Sequence, residues 1–408
     1  MMTTLHTTAS AETRVAPRHV LMLATGAGFS VASIYYSQPM LGILLTDLHA
    51  RIGLVGLIPT LTQIGYALGI LLLAPLGDRH DRRGIIAIKG VLLTLALLLS
   101  AFSGGIVMLL VASLAIGITA TMAQDIVPAS AALSPAAQRG KTVGTVMTGL
   151  LLGILLSRVL SGFVAEYFGW RVMFGVAATM VMAITLVLWR SLPSMPASTQ
   201  MRYPALLGSM YHLWKAHQPL RRATLAQALL SVGFSAFWST LAVMLHDVYQ
   251  TGSAVAGAFG LAGAAGALAA PLAGSLADRH GPAIVTFIGT ALATLSFAAM
   301  FLLPLLSPAA QMALIVVSAI GFDFGVQSTL VSHQAIIFSL EPAARSRLNA
   351  LMFTGVFIGM AAGSALGSLM LEWAGWQGVV TLLTLAGAGS FIVRLLSRSP
   401  AQTVQTTA

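Results

Sequence analysis

The chain contains no cysteine and little charge. Without cysteine it has no disulfide framework, no thiolate metal site and no thiol nucleophile. Asp, Glu, Lys and Arg make up 8% of the 408 residues, against about 25% in an ordinary soluble domain. That is too little charge to clothe a water-soluble surface. Other chemistry is missing as well. The nine histidines are scattered without metal-ligand spacing, and there is no nucleophile elbow or zinc motif. Gly140-Lys141-Thr142 has the letters that end a phosphate-binding loop. Pro135 stands where the loop's first glycine belongs, and no strand precedes it. ATP, a metal and a cofactor are therefore not expected.

Hydrophobic length is what the chain has in abundance. Hydrophobic residues make up 57% of it, and the mean hydropathy is +0.89. Stretches of about 20 apolar residues recur, each long enough to cross a hydrocarbon core of about 30 Å as a helix. The backbone must satisfy itself in lipid, and the continuous runs lack the alternation of barrel strands, so helices are expected. Twelve are predicted, at 18–45, 53–76, 85–103, 106–127, 140–167, 171–190, 221–248, 254–277, 283–304, 309–332, 345–371 and 376–397. The first is too long for a signal-peptide core and is read as a span. Segment 191–220, with Pro193, Pro196, Pro204 and Pro219, is the expected linker between two six-helix bundles, 18–190 and 221–397. Within it, 206–217 is expected to lie on the membrane surface. Residues 1–17 and 398–408 are the expected tails.

The net charge of +10 arises from topology and not from a nucleic-acid partner. If the amino terminus is inside, all but three of the 21 Lys and Arg residues fall on the inner side. Arg51 and Arg171 fall outside, and Arg158 falls within a helix. This asymmetry predicts both termini in the cytoplasm.

The chain repeats itself. Gly-x-x-x-Asp-Arg-x-Gly occurs as Gly77, Asp81, Arg82, Gly84 and again as Gly274, Asp278, Arg279, Gly281. Further along, Gly149 and Gly153 correspond to Gly355 and Gly359, Glu166-x-x-Gly169-Trp170 to Glu372-x-x-Gly375-Trp376, and Arg139 to Arg345, all at an offset of 206. Parallel halves around a substrate path are a known transporter plan.

These residues resemble the major facilitator superfamily, and within it the twelve-helix drug:proton antiporters of bacteria. The resemblance covers about residues 18–397. It implies an all-α membrane protein of two pseudo-symmetric six-helix bundles, and a monomer. The family's loop signature ends in a basic pair, where this chain has Ile85 and Ile86. By resemblance, Asp78, Asp81, Arg82 and Asp125 are expected to form a cytoplasmic latch against helix 11, with Asp278 and Arg279 as its counterpart in the second half. Two departures are plain. Ser113 stands where the group's helix-4 arginine belongs, four residues before Gly117, and Leu150 follows Gly149 where a Gly-Pro pair is usual.

Two charges inside helices are the leading candidates for chemistry. Arg158 on helix 5 should face a cavity or a partner, since an arginine mid-helix costs about 2.5–3.5 kcal/mol on insertion scales. Asp323 interrupts the apolar run of helix 10 and suits a group that loads and releases a proton. Tyr35, Tyr36 and Gln38 precede Pro39, which is expected to kink helix 1. Gln63, Tyr66, Gln227, Phe234, Trp238 and Gln327 are further cavity candidates, suited to a moderately apolar solute. The glycine rows of helices 5, 8 and 11 allow close helix approach, and are expected to form a surface on which the halves rock. The expected function is proton-coupled export of small organic molecules from a bacterial inner membrane, with no enzymatic step. The alternatives are a sugar or metabolite importer of the same fold, and a transporter-like membrane sensor.

Overall fold

The computed structural model describes residues 17–135, 138–197 and 199–397. The predicted tails, apart from Pro17, lie outside the described residues, with Arg14 and Arg398 among them. Among the described residues the secondary structure is helical throughout, and nine helices are long and apolar enough to cross a membrane.

The helices fall over all twelve expected segments. α1 comprises Pro17–Ala32, a turn, a 3-10 turn Gln38–Met40 and Leu41–Asp47. The turn over 33–37 ends just before Pro39, whose missing N–H and bulky ring disfavour a continuous helix there. α2 is Ile52–Arg79, α3 Arg82–Ala101, α4 Ile106–Leu133, α5 Arg139–Phe168 and α6 Trp170–Ser191. A linker helix, Tyr203–Ala216, buries Leu206, Met210 and Leu213 along one face. α7 is Gln218–Tyr249. α8 runs as Ser253–Ala258, a 3-10 stretch Phe259–Gly263, and Ala264–His280. α9 is Pro282–Leu305 and α10 is Pro308–Phe338. Arg345–Leu396 breaks at Gly375 into α11 (345–374) and α12 (376–396).

The repeated letters of the two halves explain paired structural features. Gly169 (φ +92) and Gly375 (φ +62) hold the left-handed breaks between α5 and α6 and between α11 and α12. Arg139 Nε donates to Ala131 O at 3.2 Å, and Arg345 Nε to Phe338 O at 3.2 Å. Each arginine thus satisfies a last-turn carbonyl of the preceding helix.

The charged phrase behaves differently. In the first half it makes a turn, in which Asp81 caps α3 by accepting from Arg83 N at 3.0 Å. In the second half the phrase lies one helical turn earlier. Asp278 and Arg279 sit in the last turn of α8, and Gly281 (φ +86) ends that helix before Pro282 starts α9. Identical letters therefore occupy non-equivalent places, and the expected symmetry of the two latches does not hold.

The glycine rows also require correction. Gly149 and Gly153 of α5 pack on α1, where a Cβ on Gly149 would stand 2.6 Å from Ala24 O and one on Gly153 would meet the Gly28 carbonyl. Gly359 and Gly363 of α11 pack in the same way on the α7 carbonyls of Ala228 and Val232. These rows bind helices within a half. Only the row on α8 touches the other half, with Gly257 and Gly260 against Arg158 on α5.

A candidate transport site between the halves

A cavity of about 510 Å³ lies between the two halves, within the usual range of about 300–1,000 Å³ for a small-molecule site. Residues from α1, α2, α4 and α5 line one side, and residues from α7, α8, α10 and α11 the other. Its wall reaches Asp78, Arg82, Arg345 and Ser346, at the end of the bundle that carries the charged turns. This is called the basic end here. At the opposite, far end the halves meet. Gly53 N donates to Glu372 Oε2 at 2.9 Å, Ala254 N to Glu166 Oε2 at 2.7 Å, and Ser253 Oγ to Gly162 O at 2.9 Å. Lower down, Gln63 Nε2 donates to Ser235 Oγ at 3.0 Å.

Arg158 stands at the inner limit of the cavity and is 2% exposed. Its Nε donates to Gln38 Oε1 at 3.1 Å. The guanidinium carbon lies 4.3 Å from the Trp238 ring centroid, 5.0 Å from Tyr35 and 5.8 Å from Phe234. Three rings, one from the first half and two from the second, thus hold one cation by their π faces. Nη2 and the Gln38 amide nitrogen are buried without a partner among the described residues. A void of about 10 Å³ beside them is lined by Gln38, Arg158 and Trp238.

Asp323 lies across the interface on α10 and is 5% exposed. Trp238 Nε1 donates to its Oδ1 at 3.5 Å, a long contact. A Cβ on Gly263 would stand 3.1 Å from Asp323 Oδ2 and 3.8 Å from Arg158 Nη1. The acid and the guanidinium therefore face one another over a single gap, each contributed by a different half. They form no direct ion pair among the described residues.

The remaining candidates divide. Tyr35, Tyr66, Gln227, Phe234 and Gln327 line the cavity. Gln38 and Trp238 border the small void instead and act on the cavity through Arg158. Tyr36 packs in the first-half core, 2% exposed, and Gln63 is spent on Ser235. The turn over 33–37 rotates Tyr36 away from the face that a continuous helix would give it. Tyr66 accepts from Gln124 Nε2 at 3.1 Å and stacks on Phe357 at 4.4 Å. Gln227 Nε2 donates to Val326 O at 3.2 Å, while its Oε1 lies 3.0 Å from His333 Nδ1.

The charged turn is wired differently from the expected latch. Arg82 pairs with Asp78 at 2.6 Å. Asp125 pairs with Lys89 at 2.6 Å, both buried, and Gly77 leaves room for the Asp125 carboxylate. Asp81 points away from both. It accepts from Met195 N and Ser194 Oγ, each at 2.9 Å, and so ties the turn to the segment after α6. Partial burial works to raise the Asp81 carboxyl. Hydrogen bonds from Met195, Ser194 and Arg83, with the Arg83 charge, outweigh it and hold the group below the usual carboxylate range. These bonds join residues of the first half to one another and to the linker behind it, and not to the second half. Gly84 sits helical in α3 with nothing around it. Asp278 and Arg279 are exposed.

Sequence reasoning missed several participants. Lys89 is the partner of Asp125, yet it looked like one of many inner-side charges. Gln124, Gln334 and Asn349 line the cavity, the last two joined at 2.9 Å. His333, fully buried beside Gln227, carried no motif. Polar residues inside predicted spans were the one signal available for them.

Comparison with known proteins agrees with this architecture. The family model for the Major Facilitator Superfamily matches residues 23–334 and 223–408. Uncharacterized transporter YgaY of Escherichia coli O157:H7 is 37% identical over 383 residues, covering 94% of this chain and 95% of that protein. Probable transporter SCO4007 of Streptomyces coelicolor is 33% identical over 377 residues, covering 91% and 84%. Among solved structures, a bacterial homologue of the human lysosomal transporter Spinster, inward-facing and unoccupied, superposes with TM-score 0.72 at 15% identity, covering 92% of this chain and 94% of that one. The peptide transporter POT superposes with TM-score 0.75 at 14% identity, covering 93% of each chain.

Proposed function

We propose, from the premise that the chain belongs to the Major Facilitator Superfamily, that it is a proton-coupled exporter of small, moderately apolar organic molecules. Two six-helix halves, about 18–190 and 221–397, rock about the central cavity. The protein resides in a bacterial inner membrane with the basic end in the cytoplasm, in keeping with the excess of Lys and Arg there. The state described is then inward-facing. It acts as a monomer and takes no nucleic acid or ATP.

One observation carries this reading: Arg158 and Asp323 face each other across the cavity from opposite halves. Asp323 takes up a proton from outside as substrate leaves and gives it up inside as the next substrate enters. Arg158 governs that exchange, because its charge stabilises the Asp323 carboxylate in the state in which they are closest. Inward proton movement supplies about 2.3 kcal/mol per charge per 100 mV. The rings of Tyr35 and Phe234 and the amides of Gln227 and Gln327 give the solute an apolar wall with a few polar anchors.

The test is a resistance panel of antibiotics and dyes in a pump-deficient bacterium, paired with transport in vesicles under a pH gradient. Wild type should protect against at least one compound, and Asp323→Asn should lose gradient-driven transport while keeping exchange of substrate for substrate. Full gradient-driven transport by Asp323→Asn would remove the proton role. Net substrate transport by the wild type at the same rate with and without a gradient would make the protein a facilitator.

A further inference from the structure

We infer that Glu166 and Glu372 are positioning residues of the transport cycle: each supplies the missing helix cap of the opposite half, and together they hold the far end shut. The inference rests on alternating access between the halves, and on neither proton coupling nor the direction of transport.

The argument begins with the helix starts at the far end. The first N–H groups of any helix have no partner within it. α2 begins after Arg51 and α8 begins after Gly252, and neither of these residues provides a side-chain cap. The unmet donors are satisfied from across the interface. Gly53 N donates to Glu372 Oε2 at 2.9 Å, and Ala254 N donates to Glu166 Oε2 at 2.7 Å. In each case the donor is the second residue of the helix. A carboxylate there also meets the positive end of the helix dipole.

The two contacts are copies of one another. Glu166 and Glu372 hold corresponding places in the duplicated Glu-x-x-Gly-Trp phrase. Each reaches from a helix of one half to the start of a helix of the other, α5 to α8 and α11 to α2. The ground beneath each is cleared. A Cβ on Gly252 would collide with the Glu166 carboxylate, and one on Gly53 would stand 2.9 Å from Glu372 Oε2. Each helix start is capped only while the far end is closed, because its cap belongs to the other half. Opening that end uncaps two helices at once. This makes the pair a bias on the conformational equilibrium and not a brace within either half. The Asp81 cap of α3 is the opposite arrangement, with donor and acceptor two residues apart in one half.

The test uses the absence of cysteine, which lets paired spin labels be placed without background. Labels at Phe102 and Leu305, both exposed at the far end on opposite halves, report closure there. Labels at Lys141 and Ser275 report the basic end. Losing one helix cap is worth about 1 kcal/mol, or about fivefold in an equilibrium. Glu166→Ala and Glu372→Ala should each shift the population about fivefold toward a longer 102–305 distance and a shorter 141–275 distance. The double variant should shift it about 25-fold if the two caps act independently. Glu→Gln at both places should recover part of the closed population, because the amide oxygen still accepts the N–H without the charge. Unchanged distances in the double alanine variant would overturn the assignment. So would both distances lengthening together, since that is general loosening. The distances are read whether or not a pH gradient drives transport, so failure here is distinct from failure of the proton-coupled reading.

Discussion

Arg158 and Ser364 stand at corresponding places in α5 and α11, and each lies where its helix crosses the opposite half. Ser364 Oγ donates to Gly56 O at 3.1 Å, a closed contact that asks for nothing more. Arg158 brings a cation to the cavity wall, caged by three rings and facing Asp323. The crossing itself is conserved between halves, since Gly56 lies against α11 and Gly257 against α5 at the same depth. Duplication thus built the scaffold, and divergence at single positions placed the charge. The charged phrase teaches the reverse. Its letters match in both halves, yet a shift of one helical turn gives Asp81 a capping role and leaves Asp278 exposed.

The largest expected effect probes the ion pair of the first half. Lys89→Met leaves the buried Asp125 carboxylate without its directly paired cation, and should cost about 3–5 kcal/mol. Joint replacement, Lys89→Met with Asp125→Leu, should restore most of it. Thermal melting in detergent reads both. In the second half, α9 and α10 meet through Gly289 and Thr329 with no ion pair among the described residues, so replacing Thr329 by Val should cost far less. Equal losses in the two halves would break the comparison.

Next comes the charge at the crossing. Coupling between sites is typically worth about 1–3 kcal/mol, or about 5–150-fold. Arg158→Ser, which copies the second half into the first, should reduce gradient-driven transport by a factor in that range. Ser364→Ala should leave it within about twofold on the same scale. Vesicle transport rates under a fixed pH gradient decide between them.

The two glycines that close the repeated phrase should respond with opposite signs. Gly281→Ala forces a side chain into φ +86 and should destabilise by about 1–3 kcal/mol. Gly84→Ala enters an open helical position and should stabilise by about 0.5–1 kcal/mol. Melting shifts of the same sign would mean that the two phrases are structurally alike after all.

The smallest effect concerns the capping acid. Asp81→Ala should cost about 1 kcal/mol, and Asp278→Ala should stay within about 0.5 kcal/mol of wild type. The Asp81 term also depends on pH. Its carboxyl is lowered in the folded protein from an ordinary value of 3.8, so its contribution is complete above that value and is lost as the pH falls below it. Above that value, the gap between wild type and Asp81→Ala should be constant. It should close in more acidic buffer.

Much of this was legible in the letters. Hydropathy located the helices, because a backbone in lipid has no alternative to satisfying itself. The positive residues marked one end, and the repeated Gly169–Gly375 and Arg139–Arg345 pairs mapped onto paired breaks and caps because they act locally. Arg158 and Asp323 were visible because charge inside a span is expensive. What misled was reading structure from identity of letters. The phrase ending at Gly281 matches the one ending at Gly84, but its place depends on where α8 stops. The glycine rows announced close packing without naming the partner, which for α5 and α11 is a helix of the same half.

The sequence by itself determined the helical class, the two-fold duplication and the scarcity of charge that makes each buried ion conspicuous, since all three follow from composition and chain order. Only the tertiary structure decided that Asp125 pairs with Lys89, that Arg158 faces Asp323, and that Glu166 and Glu372 cap helices of the opposite half. Those contacts join residues far apart in the chain, and they depend on how helices rotate and cross in three dimensions.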